Sequence, residues 1–328
     1  MPSSKPFPAW RLCLNAEPWS LLWSKSDRGA IDLDASDPVA QALREHWQAQ
    51  LDWLAGCAVV GDVGSGPAVL PRMLLARHAQ ALESVHWICV DSAQWPLAHE
   101  QAGPRITLRT GQNFADALPP PGGVDALVSN FGLEYLPREA AAEASWAWLA
   151  GGARLHAVVH ARGSVIDTAA EQHRADLAFA LGEARLFPRA AAMLQALASA
   201  PADPVERMMH AIEVRDDYNL AVNALKARME AARARSAPLV DMLQGIATLA
   251  IAVRSGQVAP ALQALGEREA AYRAECARLE AMRASALDEN GASTFLQAAT
   301  RAGLRDPACQ ALESAVGQVA WVVSARKP

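Results

Sequence analysis

From about residue 56 to 165, short apolar runs alternate with stretches of helical period. The runs "CAVVGDV", "VHWICVD", "RITLRT", "VDALVSN" and "ARLHAVVH" lie 15–30 residues apart and are rich in β-branched residues. The first two are apolar at most positions, as strands covered on both faces are, and the spacing leaves room for helices between the runs. This pattern predicts βαβ units and a parallel sheet. From about 166 to 290 the strand signals stop, and Ala, Leu, Arg and Glu recur at helical period. "ASTFLQAATRAGL" then reads as a further helix closed by Gly303. Two last apolar runs, "ACQALES" and "QVAWVVSA", follow it. The α/β pattern thus resumes after a long helical insertion.

Local punctuation supports that division. Asp37-Pro38 can open a helix with the stripe Val39, Leu43, Trp47, Leu51 and Leu54, ended by Gly56. Asp203-Pro204-Val205-Glu206 has a capping aspartate, a proline at the first helical position and a nearby glutamate. The helix after it carries Met208, Met209, Ile212, Leu220, Leu225 and Met229. Ser236-Ala237-Pro238 opens another, with Leu239, Met242, Leu243, Ile246, Leu249 and Val253, until Ser255-Gly256. A third helix is expected to run to Asn290-Gly291. These Leu and Met stripes read first as helix-packing core.

Composition narrows the chemistry. The 328 residues are 52% hydrophobic and carry a formal net charge of −5, with Lys and Arg scattered. No basic stripe suggests a nucleic-acid partner. Cys13, Cys57, Cys89, Cys276 and Cys309 are far apart and form no CxxC pair, which argues against a structural metal site or a disulfide framework. "MPSSKPFPAW" lacks the apolar core of a signal peptide. The most apolar helical stretch, "MLQGIATLAIAV", falls short of the roughly 20 residues of a membrane span. A cytoplasmic protein with no membrane partner is the expectation.

The chemistry-bearing stretch is "GCAVVGDVGSGPAVLPRML", Gly56 to Leu74. A strand that ends in glycines and restarts as a helix exposes bare backbone and helix N–H groups to a ligand. A dinucleotide fingerprint needs G-x-G-x-x-G. Counting from Gly64, Val69 stands where the third glycine belongs, and counting from Gly61 also fails.

The same stretch resembles the first motif of class I S-adenosylmethionine-dependent methyltransferases, D-x-G-x-G-x-G. Asp62, Gly64 and Gly66 match it, and Ala68 stands for the third glycine, which implies a helix start of ordinary geometry. "WICVDSAQ" is similar to the second-strand motif, "GQNFADALP" to the loop after the third strand, and "VDALVSNFGLEYLP" to the fourth-strand motif. "WAWLAGGARLHAVVH" resembles the helix, Gly-Gly turn and fifth strand, and "RAGLRD…VGQVAWVVSARKP" the closing helix and strand pair. The resemblance covers residues 56–165 and 292–326.

It implies an α/β fold: a Rossmann-like seven-stranded methyltransferase sheet, mostly parallel with the last strand reversed. A large all-α insertion would lie between strands 5 and 6. The domains would be an N-terminal segment 1–55, a cofactor-binding domain 56–165 with 292–328, and an insertion 166–291. It also implies S-adenosyl-L-methionine as cofactor, leaving as S-adenosyl-L-homocysteine. Asp62, Val63, Gly64, Ser65 and Gly66 would hold its amino-acid end and Asp91 with Ser92 its ribose. Asn113, Phe114 and Asp116 are adenine candidates, and Asn130 and Phe131 would line the methionine portion. Glu134, Tyr135 and His160 are candidate bases, needed only if the acceptor must lose a proton. Trp19 and Trp23 could close over a substrate or seal the core. The fourth-strand motif is not the N/D-P-P-aromatic type of amino-group methylation. A small or carrier-bound acceptor with an O, N or C nucleophile, of the secondary-metabolism kind, is therefore expected. No metal is implied. The insertion is expected to roof the acceptor and to pair with a second copy in a homodimer. A non-catalytic S-adenosyl binder and a helical oligomerisation scaffold are the alternatives.

Overall fold

The computed structural model describes residues 16–26, 30–95, 103–198, 204–231 and 236–328. The Asp203 cap and Cys13 lie outside the described residues, as do the side chains of Glu206 and Met208. The described chain divides into two compact units. One holds the residues up to Thr168 together with Ala281–Pro328, and the other holds Ala169–Glu280.

In the first unit the apolar runs become strands β1 (Val59–Val63), β2 (His86–Asp91), β3 (Ile106–Thr110), β4 (Val124–Asn130), β5 (Leu149–His160), β6 (Arg305–Ser314) and β7 (Gly317–Arg326). They form one sheet in the order β3-β2-β1-β4-β5-β7-β6. The pairs among β1 to β5 are parallel. β7 runs antiparallel to both neighbours and is the reversed strand.

The lack of polar alternation in β1, β2 and β4 has a direct cause, since these central strands are covered on both faces. Along β2, Trp87 and Cys89 enter one core cluster with Leu43, Trp47, Leu54, Leu70 and Leu74. Ile88 and Val90 enter the other, with Leu127, Leu133, Trp148 and Phe295. Helices α2 (Pro38–Gln48), α3 (Leu51–Leu54) and α4 (Val69–Arg77) feed the first cluster. Helices α5 (Arg138–Trp148) and α11 (Glu289–Arg301) feed the second. Asp37 caps α2 through the N–H groups of Val39 and Ala40, as its position before Pro38 predicts.

Two local readings change. The Gly151-Gly152 pair is not a turn ahead of β5: the strand begins at Leu149, directly after α5, and the glycines form an irregularity in its pairing with β4. Asn290-Gly291 does not end a helix. Asp288 accepts the Gly291 N–H at 2.7 Å, so both residues lie in the first turn of α11.

Between β5 and β6 the chain forms α6 (Val165–Ala178), a π turn over Phe179–Glu183, α7 (Leu186–Ala198), α8 (Pro204–Ala231), α9 (Ala237–Arg254) and α10 (Val258–Ser285). The α9 stripe packs as its period predicts, with Leu239, Met242, Ile246, Leu249 and Val253 buried. The α8 stripe does not: Leu225 is buried, but Met209, Ile212 and Leu220 are exposed. The apolar stretch of α9 is longer than its sequence suggests. Its 18 residues make it the one described helix long and apolar enough to cross a membrane, and a third of it is buried within the protein.

The first unit clamps the two ends of this excursion. The Leu287 N–H donates to the His160 carbonyl at 2.8 Å, and the Leu287 carbonyl accepts from the Arg162 N–H and the Trp321 indole. Asp167 pairs with Arg283 at 3.0 Å. The C-terminal end of β5 is thereby fixed.

Within β5, α2 docks through two histidines. His46 and His156 approach Nε2 to Nε2 at 2.9 Å, so one ring donates and the other accepts. Trp47 stands edge-on to both rings. Burial pulls each pKa down to about 4, and for His156 the charge on His46 adds to it. A group whose folded pKa lies below its unfolded value supports the fold fully above the unfolded value, 6.5 here, and progressively less as pH falls towards 4. The melting temperature is expected to drop between pH 6.5 and 4 and to drop less steeply in His156→Gln. An equal slope in both proteins would remove the pair from the account.

Candidate functional site

The carboxyl ends of β1, β2, β4 and β5 converge on one edge of the sheet. β1 delivers Asp62, which is 2% exposed, and among the described residues neither carboxylate oxygen has a hydrogen-bond partner. Burial, and then the charge of Asp91, push its pKa well above the usual carboxylate range. The glycine turn hangs from β2, because the N–H groups of Gly64 and Ser65 both donate to the Val90 carbonyl, at 2.8 and 3.3 Å. Ser65 is buried and its hydroxyl donates to the Gly66 carbonyl.

Gly64, Gly66 and Ala68 adopt left-handed φ angles of +64°, +52° and +56°. The start of α4 is thus not of ordinary geometry. Ala68 takes up the left-handed conformation that its glycine counterpart would adopt freely, at a cost of about 1–2 kcal/mol. Its methyl group is fully buried in the core.

Asp91 has a prior task. Its Oδ2 accepts the Gly66 N–H at 2.7 Å and its Oδ1 the Ala93 N–H at 2.8 Å. Burial raises its pKa to about 6 against the lowering effect of those two donors. It is first the clamp that shapes the turn. Each oxygen keeps a second lone pair for a further donor, and Ser92 beside it is half-buried. In the loop after β3, Asn113 accepts the Ala115 N–H and closes a local turn. Asp116 is exposed, and the Phe114 ring packs in the core on Trp148, with centroids 5.1 Å apart.

The end of β4 is held just as closely. Ser129 donates its hydroxyl to the Val63 carbonyl at 2.7 Å and accepts the N–H groups of Gly132 and Leu133. This brings Gly132 against Gly64: a Cβ on Gly132 would lie 2.4 Å from the Val63 carbonyl oxygen and 2.6 Å from the Gly64 Cα. Only glycine fits at that approach. Asn130 accepts the Trp47 indole N–H at 2.9 Å. Phe131 has a left-handed φ of +64°, and its ring stacks on His160 at 4.3 Å. Such strain in a non-glycine residue persists only where its surroundings enforce it.

Glu134 follows on a 3-10 turn (Leu133–Tyr135) and is 1% exposed. Its Oε1 accepts the backbone N–H of His160 at 2.9 Å, and Oε2 has no partner. Burial raises its pKa to about 7. The His160 Nε2 lies 4.0 Å from Oε1, and the Tyr135 ring stands edge-on to His160. All three candidate bases therefore meet at the ends of β4 and β5.

Helix α1 (Glu17–Lys25) covers this edge. Ser20 accepts the Gln94 N–H, and Trp19 meets Tyr135 edge-on at 5.5 Å. Trp23 stacks near Trp19, contacts Trp95, and lays its indole on Gly66, where a Cβ would come within 3.0 Å of the ring. The Trp23 Nε1 is buried without a partner, a state costing about 1–3 kcal/mol. An aromatic run Trp95, Trp23, Trp19, Tyr135, His160 and Phe131 thus crosses the ends of the central strands. Ser129, Gly132 and Trp95 join the site beyond the residues that the sequence motifs suggest. Of these, only Gly132, two residues past the end of β4, carries a readable signal.

No family model matches the chain, and no curated protein matches it. Among solved structures, it is similar to a possible exported protein from Bordetella parapertussis at 15% identity and a TM-score of 0.41. That likeness covers 96% of this chain and 80% of the other. PigF, solved with SAH, is similar at 10% identity and a TM-score of 0.38, over 88% of this chain and 64% of that one. The geranyl diphosphate C-methyltransferase from Streptomyces coelicolor A3(2), solved with Mg2+, geranyl diphosphate and S-adenosyl-L-homocysteine, is similar at 17% identity and a TM-score of 0.30. There 45% of this chain and 65% of that one are covered. All three TM-scores lie below 0.5, so the site itself has to carry the functional reading.

Proposed function

We propose that the protein binds S-adenosylmethionine across the carboxyl ends of β1, β2 and β4 and transfers its methyl group to a small-molecule acceptor. The observation that carries this reading is the Asp62 carboxylate, buried without a partner beside the glycine turn. A second acid, Asp91, is buried next to it, and among the described residues no lysine or arginine pairs with either. The acid without a partner, Asp62, favours a cationic ligand. An S-adenosyl donor brings an ammonium and a sulfonium. The pyrophosphate of a dinucleotide would face both carboxylates with like charge.

The donor fits the groups present. Asp62 would accept from its ammonium, and the free lone pairs of Asp91 would accept the ribose hydroxyls. The segment Asn130–Gly132 would border the methionine portion. When bound, the donor supplies an activated methyl group whose sulfur leaves as a neutral thioether. What the chain adds is alignment and exclusion of water, for which the aromatic run is suited. A protic acceptor gives up one proton per transfer, and Glu134, His160 and Tyr135 stand where a proton could be taken up.

The helical unit is proposed to contact a second copy of the chain. Its exposed Val205, Met209, Leu220 and Ile251 favour this. Sedimentation at micromolar concentration is expected to show a dimer, and a monomer would end that part of the reading.

Calorimetry tests the cofactor. The full chain is expected to bind S-adenosylhomocysteine and to give no response to NAD; the reverse would overturn the proposal. Asp62 has a folded pKa above its unfolded one, so its ionisation works against the fold as pH rises past the ordinary 3.8. Asp62→Asn should therefore raise the melting temperature of the ligand-free protein at neutral pH. It should also weaken S-adenosylhomocysteine about 10–100-fold, the worth of a charged hydrogen bond.

A further inference from the structure

The glycine turn has an unmet hydrogen-bond donor as well as an unmet acceptor. Trp23 is buried, and its indole N–H has no partner among the described residues. Its Cε2, the ring carbon bonded to that nitrogen, would lie 3.2 Å from a Cβ on Gly66, so the N–H sits beside the turn. Asp62, four residues before Gly66, has two carboxylate oxygens without partners. An orphaned indole N–H alone distinguishes nothing, because Trp87 has one too, within the core cluster. Trp23 differs in lying on Gly66, the backbone that a ligand would approach, and Gly66 follows by four residues an acid with no described cation partner. A phenylalanine there would keep the stacking on Trp19 and Trp95 and avoid burying a polar group.

One donor and one anionic acceptor, both unmet at the same turn, are complementary to a group that carries a carboxylate and an ammonium together. Resting on the S-adenosyl reading above, we propose that the Trp23 indole N–H donates to the carboxylate of the cofactor's amino-acid end while Asp62 accepts from its ammonium. Helix α1 is then part of the cofactor site, and its closure over Gly66 is coupled to recognition of the amino-acid end. Trp23 acts here as a cofactor ligand, in place of the substrate contact expected from sequence.

The test compares S-adenosylhomocysteine with 5′-methylthioadenosine, which keeps the adenosine and thioether but lacks the amino-acid group. Both are titrated into the full chain and into Trp23→Phe by calorimetry. The variant is expected to bind S-adenosylhomocysteine about 10-fold more weakly, the effect of one hydrogen bond to a charged group. Its affinity for methylthioadenosine should stay within about twofold, which also reports that the site is folded. Benzothienylalanine at position 23 keeps the indole's shape and removes the N–H, and should give the same selective loss. Unchanged S-adenosylhomocysteine binding in both variants, or an equal loss for both ligands, would overturn the Trp23 assignment alone. Failure of the unaltered chain to bind S-adenosylhomocysteine would overturn the S-adenosyl reading with it.

Discussion

Two carboxylates stand at the ends of adjacent parallel strands, and the rest of the site is arranged around them. Asp91 is tolerated in its buried position because two backbone N–H groups point at it, and one of these belongs to Gly66. That bond sets the shape of the turn between β1 and α4. Asp62 has no such compensation, and its oxygens are shielded from water and from every described donor. A buried charge without a partner is among the most costly features a fold can carry. A ligand cation would relieve it, which makes stability and binding opposed demands on one side chain.

The remaining constraints act through the backbone. Ser129 ties the end of β1 to the loop after β4, and the contact between Gly64 and Gly132 leaves no room for a side chain at either position. Ala68 and Phe131 hold left-handed φ angles nearby, Ala68 with its methyl group buried in the core and Phe131 stacked on His160. Glu134 then anchors on the His160 N–H, and the His160 carbonyl receives the chain returning at Leu287. The ends of β1, β4 and β5 thus form one hydrogen-bonded assembly under the tryptophans of α1.

Much of the sheet was legible because burial on both faces writes a nearly continuous apolar run in its central strands, and all seven runs became strands. The glycine turn and both acids were legible for a similar reason, since glycines and charges are rare at the ends of such strands. What sequence could not show depends on distance in space. The bond from Asp91 to Gly66, the glycine contact at Gly132 and the placement of Trp23 and Trp95 arise between segments far apart in the chain. The misreading at Asn290-Gly291 has a local cause: the pair has the composition of a helix stop, but Asp288 caps the next helix three residues before Gly291. Ala68 shows that burial can hold an alanine where an isolated motif would demand glycine.

The central claim, that a ligand's positive charge neutralises the buried acids, is tested most directly by counting protons during binding. Titration of S-adenosylhomocysteine can be repeated in buffers of different ionisation enthalpy at about pH 6, where an α-ammonium is fully charged. Both acids have raised pKa values in the ligand-free protein. A cation placed beside them lowers those values, so binding should release protons. The release should be smaller in Asp62→Asn. Binding with no net proton exchange, or with uptake, would contradict the claim.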